Sequence, residues 1–425
     1  MTGHLRGPLR SRDLRLVLAG STVSLVGDGV YAVAIAVAVL QVSGTAVALA
    51  AVSVAGLVPR VVFGLVGGVF ADRLSRRGLL VAADAVRAAV VTALGLMLLS
   101  GEPPLWALVA LVVPLSAASG AAAPTFSALV PDLVDEDELV AATSLLGAVS
   151  PLAQLMTGPL LGGLLAAYDV GLAMLVDAGT FAVSAVCVAL LRPARRHEQG
   201  DRPLPWAHFR AGLAYVRATP WLLTNQLCGL VVTFTVSGAM TMLPLLVTRT
   251  YGAPTSAFGY LLAAGGAAAT LAAVLVGARA PVRRPLTASY AVYALGLGAV
   301  AGLGLVDGPL LAAGFVVLLF AGATVGNVLQ DSVLGSRVPR ELRGRVASLD
   351  WVAATAAAPL SVLFAAVAAE TVGLRSTYVG AGLLAAAASL AGLALMVRSG
   401  EPERLPPGRE GCDLEEPAVD VVQSA

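Results

Sequence analysis

The sequence is built from apolar stretches that are each long enough to cross a lipid bilayer. A transmembrane helix needs about 20 consecutive apolar residues, because the hydrocarbon core is about 30 Å thick. Twelve stretches reach this length: 14–40, 47–70, 79–99, 105–127, 140–167, 172–192, 221–248, 256–278, 286–305, 309–330, 346–369 and 376–397. Only 12% of the 425 residues are charged, which is about half the share in soluble proteins. The pattern predicts an all-α membrane protein with twelve transmembrane helices, numbered here as spans 1 to 12.

The polar segments between these stretches divide the chain into five predicted parts. They are a cytoplasmic N-terminus (1–13), an N-terminal six-helix bundle (14–192), a cytoplasmic linker (193–219), a C-terminal six-helix bundle (220–397) and a disordered cytoplasmic tail (398–425). The first apolar run is much longer than the apolar core of a signal peptide, which has about 7–15 residues. We therefore expect it to remain as span 1.

The distribution of arginine predicts the orientation in the membrane. All 27 basic residues are Arg, and 23 of them fall in the termini and in alternate loops on one side. Arg249 and Arg375 are the two that fall on the other side. Because short cytoplasmic loops are enriched in basic residues, both termini are predicted to be cytoplasmic, in a protein of the cell membrane.

The two halves of the chain are related to each other. At an offset of 203 residues, ELVAATSLL (138–146) lies against ELRGRVASL (341–349), each at the start of the fifth span of its half. Such a repeat predicts two pseudo-symmetric bundles. In duplicated transporters the substrate site lies between the repeats, near the middle of the membrane.

The polar connection between spans 2 and 3 carries a recognisable motif. It reads GGVFADRLSRRGLL, with these positions of interest: Gly68, Asp72, Arg73, Arg76 and Arg77. The segment resembles the loop 2–3 signature of the major facilitator superfamily, although Ser75 replaces a family glycine. The resemblance implies the twelve-helix major facilitator fold and assigns these five residues to a cytoplasmic gate. An ordinary basic loop of another membrane protein is the alternative.

A second motif lies in span 5. Its Gly158, Pro159, Gly162 and Gly163 resemble the GPxxGG element of exporter branches, although Gln154 stands where the family has an earlier glycine. In the family this element is associated with preventing leakage. Small residues also serve ordinary close helix packing, and that interpretation stays open.

Three further stretches are similar to the drug:proton antiporter branch that contains macrolide and siderophore exporters. They are residues 24–40, 124–146 and 338–350. The resemblance extends over about residues 14–397. One departure affects the coupling mechanism, because the Arg that many proton-coupled exporters carry in span 4 is absent from 105–127. Proton coupling would therefore depend on other groups.

Two charged residues are predicted at similar depth in neighbouring spans. Asp28 lies 14 residues into span 1, about 21 Å from the cytoplasmic end, and Arg60 lies 12 residues before Asp72, about 18 Å from the same face. Because intramembrane charges are costly, they are candidate functional groups. We expect Asp28 to bind in turn a proton and a cationic or polar substrate, with Arg60 stabilising the ionised carboxylate. A permanent ion pair is the alternative.

The remaining candidate residues fall into two groups. The gate is expected to include Asp84 and Arg87 of span 3 together with Arg343, Arg345 and Asp350 at the start of span 11. Four intramembrane amides are candidates for lining the cavity, although such groups also bond between helices: Gln154, Asn225, Gln226 and Asn327.

These observations favour proton-driven efflux of a small hydrophobic compound, such as a drug, an antibiotic or a siderophore-like metabolite. The alternative on the same fold is an importer or facilitator of a small nutrient, and a non-transporting receptor is a remote one. No catalytic or metal-ligand pattern is found, so we expect no enzyme, metal or cofactor, with the proton gradient as the energy source. Expected partners are the substrate and the lipid bilayer but no nucleic acid, and the monomer is the expected functional unit.

Overall fold

The computed structural model describes residues 11–73, 75–134, 136–192, 205–278 and 282–399. The predicted N-terminus up to residue 10, the first part of the linker (193–204) and the tail from residue 400 lie outside these ranges. So do the side chains of residues 66–73, and with them three predicted gate residues, Gly68, Asp72 and Arg73.

Twelve helices in the described ranges are long and apolar enough to cross a membrane, which confirms the predicted number of spans. Their bounds are Arg12–Val42 (span 1), Ala46–Arg73 (span 2), Arg76–Ser100 (span 3), Leu105–Leu129 (span 4), Glu136–Pro151 with Leu152–Thr157 and Gly158–Tyr168 (span 5), Val170–Ala189 (span 6), Pro220–Leu245 with Leu246–Thr250 (span 7), Ser256–Gly277 (span 8), Pro285–Leu305 (span 9), Pro309–Arg337 (span 10), Arg340–Thr371 (span 11) and Leu374–Ser399 (span 12). No strand occurs in the described parts of the chain.

Several spans begin in the polar segments that precede the apolar stretches. The Ser11 side chain accepts a hydrogen bond from the amide of Leu14, and Ser75 accepts one from Gly78. Serine at this position satisfies an amide that has no partner within the helix. Span 1 therefore starts two residues, and span 3 three residues, before the predicted first residue.

The linker contains a helix of its own. It runs over Pro205–Ala218, and its Val216 is buried against Leu222, Val338 and Val346 near the starts of spans 7 and 11. The linker thus packs onto the C-terminal half, which its polar composition did not indicate.

Odd-numbered spans begin at the face where span 1 starts, which we call the N-terminal face, and even-numbered spans begin at the opposite face. The two halves meet through span 2 with span 11 and through span 5 with span 8. At the second contact, a Cβ added to Gly259 would lie 2.6 Å from the Cα of Gly163 and 2.7 Å from the carbonyl oxygen of Pro159. The backbones of spans 5 and 8 therefore touch near the opposite face.

Candidate substrate cavity

A cavity of about 660 Å³ lies among spans 1 to 6, with Thr241 of span 7 also in its wall. Its size falls within the usual range for small-molecule sites, about 300–1,000 Å³. Val17 and Leu80, which lie near the starts of spans 1 and 3, mark its extent towards the N-terminal face. The cavity therefore reaches from the middle of the membrane towards that face.

A second, apolar cavity of about 310 Å³ adjoins the first and lies between the two halves. Ile35 and Val52 line both cavities, and span 8 closes the second one with Phe258 and Leu262. We call the two together the central cavity. Its charged groups lie on the side of the N-terminal half, and its lobe between the halves is apolar.

Asp28 and Arg60 both line the larger cavity, at the depth the sequence predicts. Asp28 is 14 residues from the end of span 1, and Arg60 is 14 residues from the start of span 2, so each lies about 21 Å from the opposite face. The structure thus brings this predicted pair to one wall. Its role in coupling stays a prediction.

Asp84 and Arg87, which the sequence assigned to the gate, also line this cavity. A guanidinium nitrogen of Arg87 lies 2.6 Å from a carboxylate oxygen of Asp84, and both side chains are nearly buried. The Arg87 guanidinium also stacks over the ring of Phe181 in span 6, 4.4 Å from its centre, an arrangement favoured by the charge distribution of the ring. Four charged side chains therefore share one cavity wall.

Asp177 of span 6 is a fifth ionisable residue beside this wall, and the sequence interpretation did not include it among the site residues. Its side chain is 0% exposed and packs against the backbone of Gly27, the residue that precedes Asp28. The available signal was an acidic residue within an apolar span. Its partner span could not be inferred, since the contact is made by a glycine.

The glycines of the span 5 motif face two different helices. A Cβ on Gly158 would meet the Cα of Gly29 at 2.7 Å, and one on Gly162 would meet the Cα of Val30 at 2.9 Å, whereas Gly163 faces span 8. These positions follow helical periodicity, since residues four apart share a face. The motif thus clamps span 1, which carries Asp28, against span 5.

Pro159 affects span 5 one turn before its own position. It has no N–H to donate to the carbonyl of Leu155, and residues Leu152–Thr157 form a π-helical segment. The Leu155 carbonyl oxygen would lie only 2.0 Å from a Cβ added to Gly266 of span 8. Glycine at this position therefore allows span 8 to approach the irregular turn.

The four candidate amides occupy three different environments. Gln154 lines the central cavity. Asn225 is buried and accepts a 3.1 Å hydrogen bond from the Tyr290 hydroxyl. Gln226 and Asn327 line a separate cavity of about 120 Å³ inside the C-terminal half. The three C-terminal amides are therefore remote from the central cavity wall.

The predicted gate arginines of the N-terminal half bind the ends of helices in that half. Arg76 donates to the carbonyl of Ala128 at 2.9 Å, in the last turn of span 4, and pairs with Asp132 in the turn that follows. Arg77 donates to the carbonyls of Leu191, at 2.8 Å, and Ala189 at the end of span 6. Both arginines thus cap helix C-termini, where cations are favoured.

The C-terminal gate candidates also contact their own half. Arg343 donates to the carbonyl of Val338 at 2.9 Å, and the Arg345 carbonyl would lie 3.0 Å from a Cβ added to Gly212 of the linker helix. Asp350 lines the small C-terminal cavity. A gating role for these residues stays a prediction.

Within the described ranges, no group of three or more His, Cys, Asp or Glu residues could hold a metal ion. What the arrangement offers is a large cavity among membrane-spanning helices, with ionisable groups of the N-terminal half in its wall and an apolar lobe between the halves. Two six-span bundles around such a cavity define a membrane transport protein.

The chain belongs to the Major Facilitator Superfamily, whose sequence profile matches residues 17–360. This confirms the resemblance to the superfamily that the sequence predicts. The chain is accordingly a secondary transporter that spans the membrane twelve times, and it is not an enzyme.

Relatives resemble the chain over most of its length. It is 29% identical to the multidrug efflux pump Tap of Mycolicibacterium fortuitum over 396 residues, covering 90% of this chain and 94% of the relative. It is 21% identical to macrolide efflux protein A of Streptococcus pyogenes, covering 87% and 92%. An uncharacterized MFS-type transporter, YfiS of Bacillus subtilis (strain 168), is 27% identical and covers 88% and 90%.

Solved structures share the fold at low sequence identity. A bacterial homologue of the human lysosomal transporter Spinster, inward-facing and occupied, matches with a TM-score of 0.69 at 15% identity, covering 93% of this chain and 98% of that one. The nucleoside transporter NupG matches with a TM-score of 0.66 at 12% identity, covering 91% and 98%. These likenesses confirm the predicted twelve-helix fold.

Proposed function

We propose that this transporter exports small, largely apolar compounds in exchange for protons. The observation that carries the proposal is the central cavity, in which two carboxyls, Asp28 among them, and two guanidiniums line a volume with otherwise mostly apolar walls. An apolar compound gains free energy by leaving water for such a site. A carboxylate at mid-membrane depth can bind either a proton or a cationic or polar group of the substrate.

The span 5 motif supports the direction of transport. Gly158 and Gly162 hold span 5 against span 1, and Gly163 holds it against span 8. Contact between backbones leaves little room for ions to leak past the site. Two relatives that resemble the chain over most of its length are named as a macrolide efflux protein and a multidrug efflux pump.

The proposed orientation follows from the arginines. With the N-terminal face in the cytoplasm, 23 of the 27 basic residues lie on the cytoplasmic side of the cell membrane. The central cavity then receives substrate from the cytoplasm or from the inner leaflet. Since one chain encloses the cavity, the proposed functional unit is the monomer.

The test is an accumulation assay in a bacterial host that lacks its own efflux pumps. Cells that produce the protein should accumulate less ethidium than cells with an empty vector, and they should survive at higher erythromycin concentrations. A protonophore should abolish the difference, because it collapses the proton gradient. Greater accumulation in producing cells would instead indicate an importer, and equal accumulation of every compound in a toxic panel would refute the export proposal.

A further inference from the structure

Asp177 is a buried carboxyl that the proposed cycle does not yet use. One of its oxygens, Oδ1, accepts a 3.2 Å hydrogen bond from the Thr180 hydroxyl one turn later in span 6. The other, Oδ2, is buried and has no hydrogen-bond partner among the described residues. A carboxylate in this position would be poorly stabilised if it were ionised.

Gly27 determines how closely this carboxyl approaches span 1. A Cβ added to Gly27 would lie 2.3 Å from Asp177 Oδ1 and 2.0 Å from the Thr180 hydroxyl oxygen. Only a residue without a side chain leaves room for both groups. Asp177 is therefore packed directly against the backbone next to Asp28.

The charged and titratable groups around Asp177 come from two neighbouring spans. Span 1 presents Asp28 and Tyr31, and span 3 presents Arg87 with Asp84. The part of span 5 that contacts span 6, Gly158–Tyr168, carries a titratable group only at its last residue. Arg87 is thus the one cation that faces Asp177 from these described segments.

That cation is already engaged. Arg87 lies 2.6 Å from Asp84, and Arg87 and the other guanidinium of the cavity wall, Arg60, both act on Asp28 as well. Among the described residues of this cluster, three carboxyls share two guanidiniums, so one carboxyl lacks a cationic partner of its own. In the middle of a membrane an unpaired ionised carboxylate is strongly disfavoured, and proton uptake removes its charge.

We propose that Asp177 stores the coupling proton behind Asp28 while the cavity is open to the N-terminal face. This inference rests on the proposed proton-coupled export. The stored proton passes from the Asp177 carboxyl to ionised Asp28, so that one O–H bond breaks and another forms. This transfer leaves Asp177 ionised. Asp28 then releases the proton to water in the cavity, and Asp177 is protonated again from the opposite face.

The location of the proton can be measured without any transport. Infrared difference spectra of the purified protein, recorded between neutral and alkaline pH, report the carbonyl stretch of a protonated carboxyl. The wild type and D28N should show such a band at neutral pH, and D177N should lack it. A band of wild-type intensity in D177N would overturn the assignment.

A transport assay then separates proton storage from a purely structural neutral carboxyl. In proteoliposomes, D177N should still exchange ethidium across the membrane down its gradient but should lose accumulation driven by a pH difference. If the proton on Asp177 were permanent, Asn would replace it without loss. Accumulation at the wild-type level in D177N would therefore overturn the inference.

Two further variants exclude a general effect of mutation. G27A displaces Asp177 and Thr180 from span 1 without removing a carboxyl, and it should also reduce accumulation driven by the pH difference. D307N removes an acid that is 83% exposed in the loop between spans 9 and 10, and it should behave as the wild type. Wild-type coupling in G27A would contradict the proposed transfer between Asp177 and Asp28.

If the proposed function itself is wrong, the results differ from those expected when only the storage role of Asp177 is wrong. If wild-type proteoliposomes move ethidium without any response to a pH difference, proton-coupled export is wrong. The infrared band still decides whether Asp177 is protonated. A band that disappears in D177N would then assign a neutral buried carboxyl with no part in coupling, which contradicts the storage role.

Discussion

The backbone N–H of Ala46, at the first residue of span 2, donates a 3.2 Å hydrogen bond to Oε1 of Glu370, near the end of span 11. The bond joins the two halves at the opposite face. A carboxylate at a helix N-terminus is stabilised by the unpaired amides and by the helix dipole. Together with the contact between spans 5 and 8, this bond holds the two halves together at the opposite face.

Glu370→Ala should shift the protein towards opening at the opposite face. A hydrogen bond to a charged group contributes at least ~1.5 kcal/mol, which corresponds to about a tenfold change in the equilibrium. The measurement is labelling of S53C, a cavity position, in a variant without native cysteines. An impermeant maleimide added at the opposite face should react about tenfold faster when Glu370 is Ala.

Two other variants identify the cause of that shift. Glu370→Gln keeps an oxygen acceptor for Ala46 and should produce a smaller change. Asp307→Asn removes an exposed acid at the same face and should leave the labelling rate unchanged. An equal rate in Glu370→Ala and the unaltered protein would show that this bond does not hold the face closed.

The contact between spans 5 and 8 should not tolerate a single methyl group. Gly259→Ala would place Cβ against the backbones of Gly163 and Pro159, neither of which can move without displacing a helix. Overpacking of this kind costs about 1–3 kcal/mol. The melting temperature of the purified protein should fall, together with transport.

Gly277→Ala is the matched control on the same span. A Cβ at that position meets nothing within 4 Å, so stability and transport should be unchanged. Similar melting temperatures for the two variants would mean that the close approach of spans 5 and 8 does not limit stability.

The contributions of Asp84 and Arg87 to stability should depend on each other. Removing one partner of a nearly buried pair typically costs about 3–5 kcal/mol, because the other charge is left unpaired. Arg87→Gln should therefore lower the melting temperature strongly, and adding Asp84→Asn should restore part of the loss. If the double variant loses as much as the two single variants together, the pair contributes no coupling energy.

Arg77 should stabilise the N-terminal half through the end of span 6. Its hydrogen bonds to the carbonyls of Ala189 and Leu191 satisfy groups that have no partner within the helix. Arg77→Ala should cost about 1–3 kcal/mol in thermal unfolding. Arg283→Ala, at an exposed position between spans 8 and 9, should be neutral, and an equal loss in both variants would exclude the capping role.

The number of spans and most of their ends could be predicted because they depend on length and hydropathy alone. The depth of Asp28 and Arg60 could also be predicted, since each residue advances a helix by about 1.5 Å. The same arithmetic places Asp84 and Arg87 about 12 and 16 Å from the start of span 3. These distances reach well into the membrane and agree with the position of both residues in the cavity, and their part in a gate stays a prediction.

The faces of the helices could not be predicted in the same way. In nearly uniformly apolar helices, periodicity does not show which side meets another span and which side meets lipid. The contact of Asp177 with Gly27 illustrates this limit, because glycine has no side chain whose chemistry could indicate a partner. For the same reason, the sequence did not show that the four candidate amides face different environments. Gln154 lies in the central cavity, whereas Asn225 is buried against Tyr290.

The most direct test of proton-coupled export is transport by the purified protein in liposomes with an imposed pH difference and no membrane potential. With the N-terminal face outside, an acidic interior should drive ethidium into the lumen against its gradient, and D28N should retain exchange but lose this accumulation. Accumulation by D28N at the wild-type rate, or no response of the wild type to the pH difference, would contradict the account.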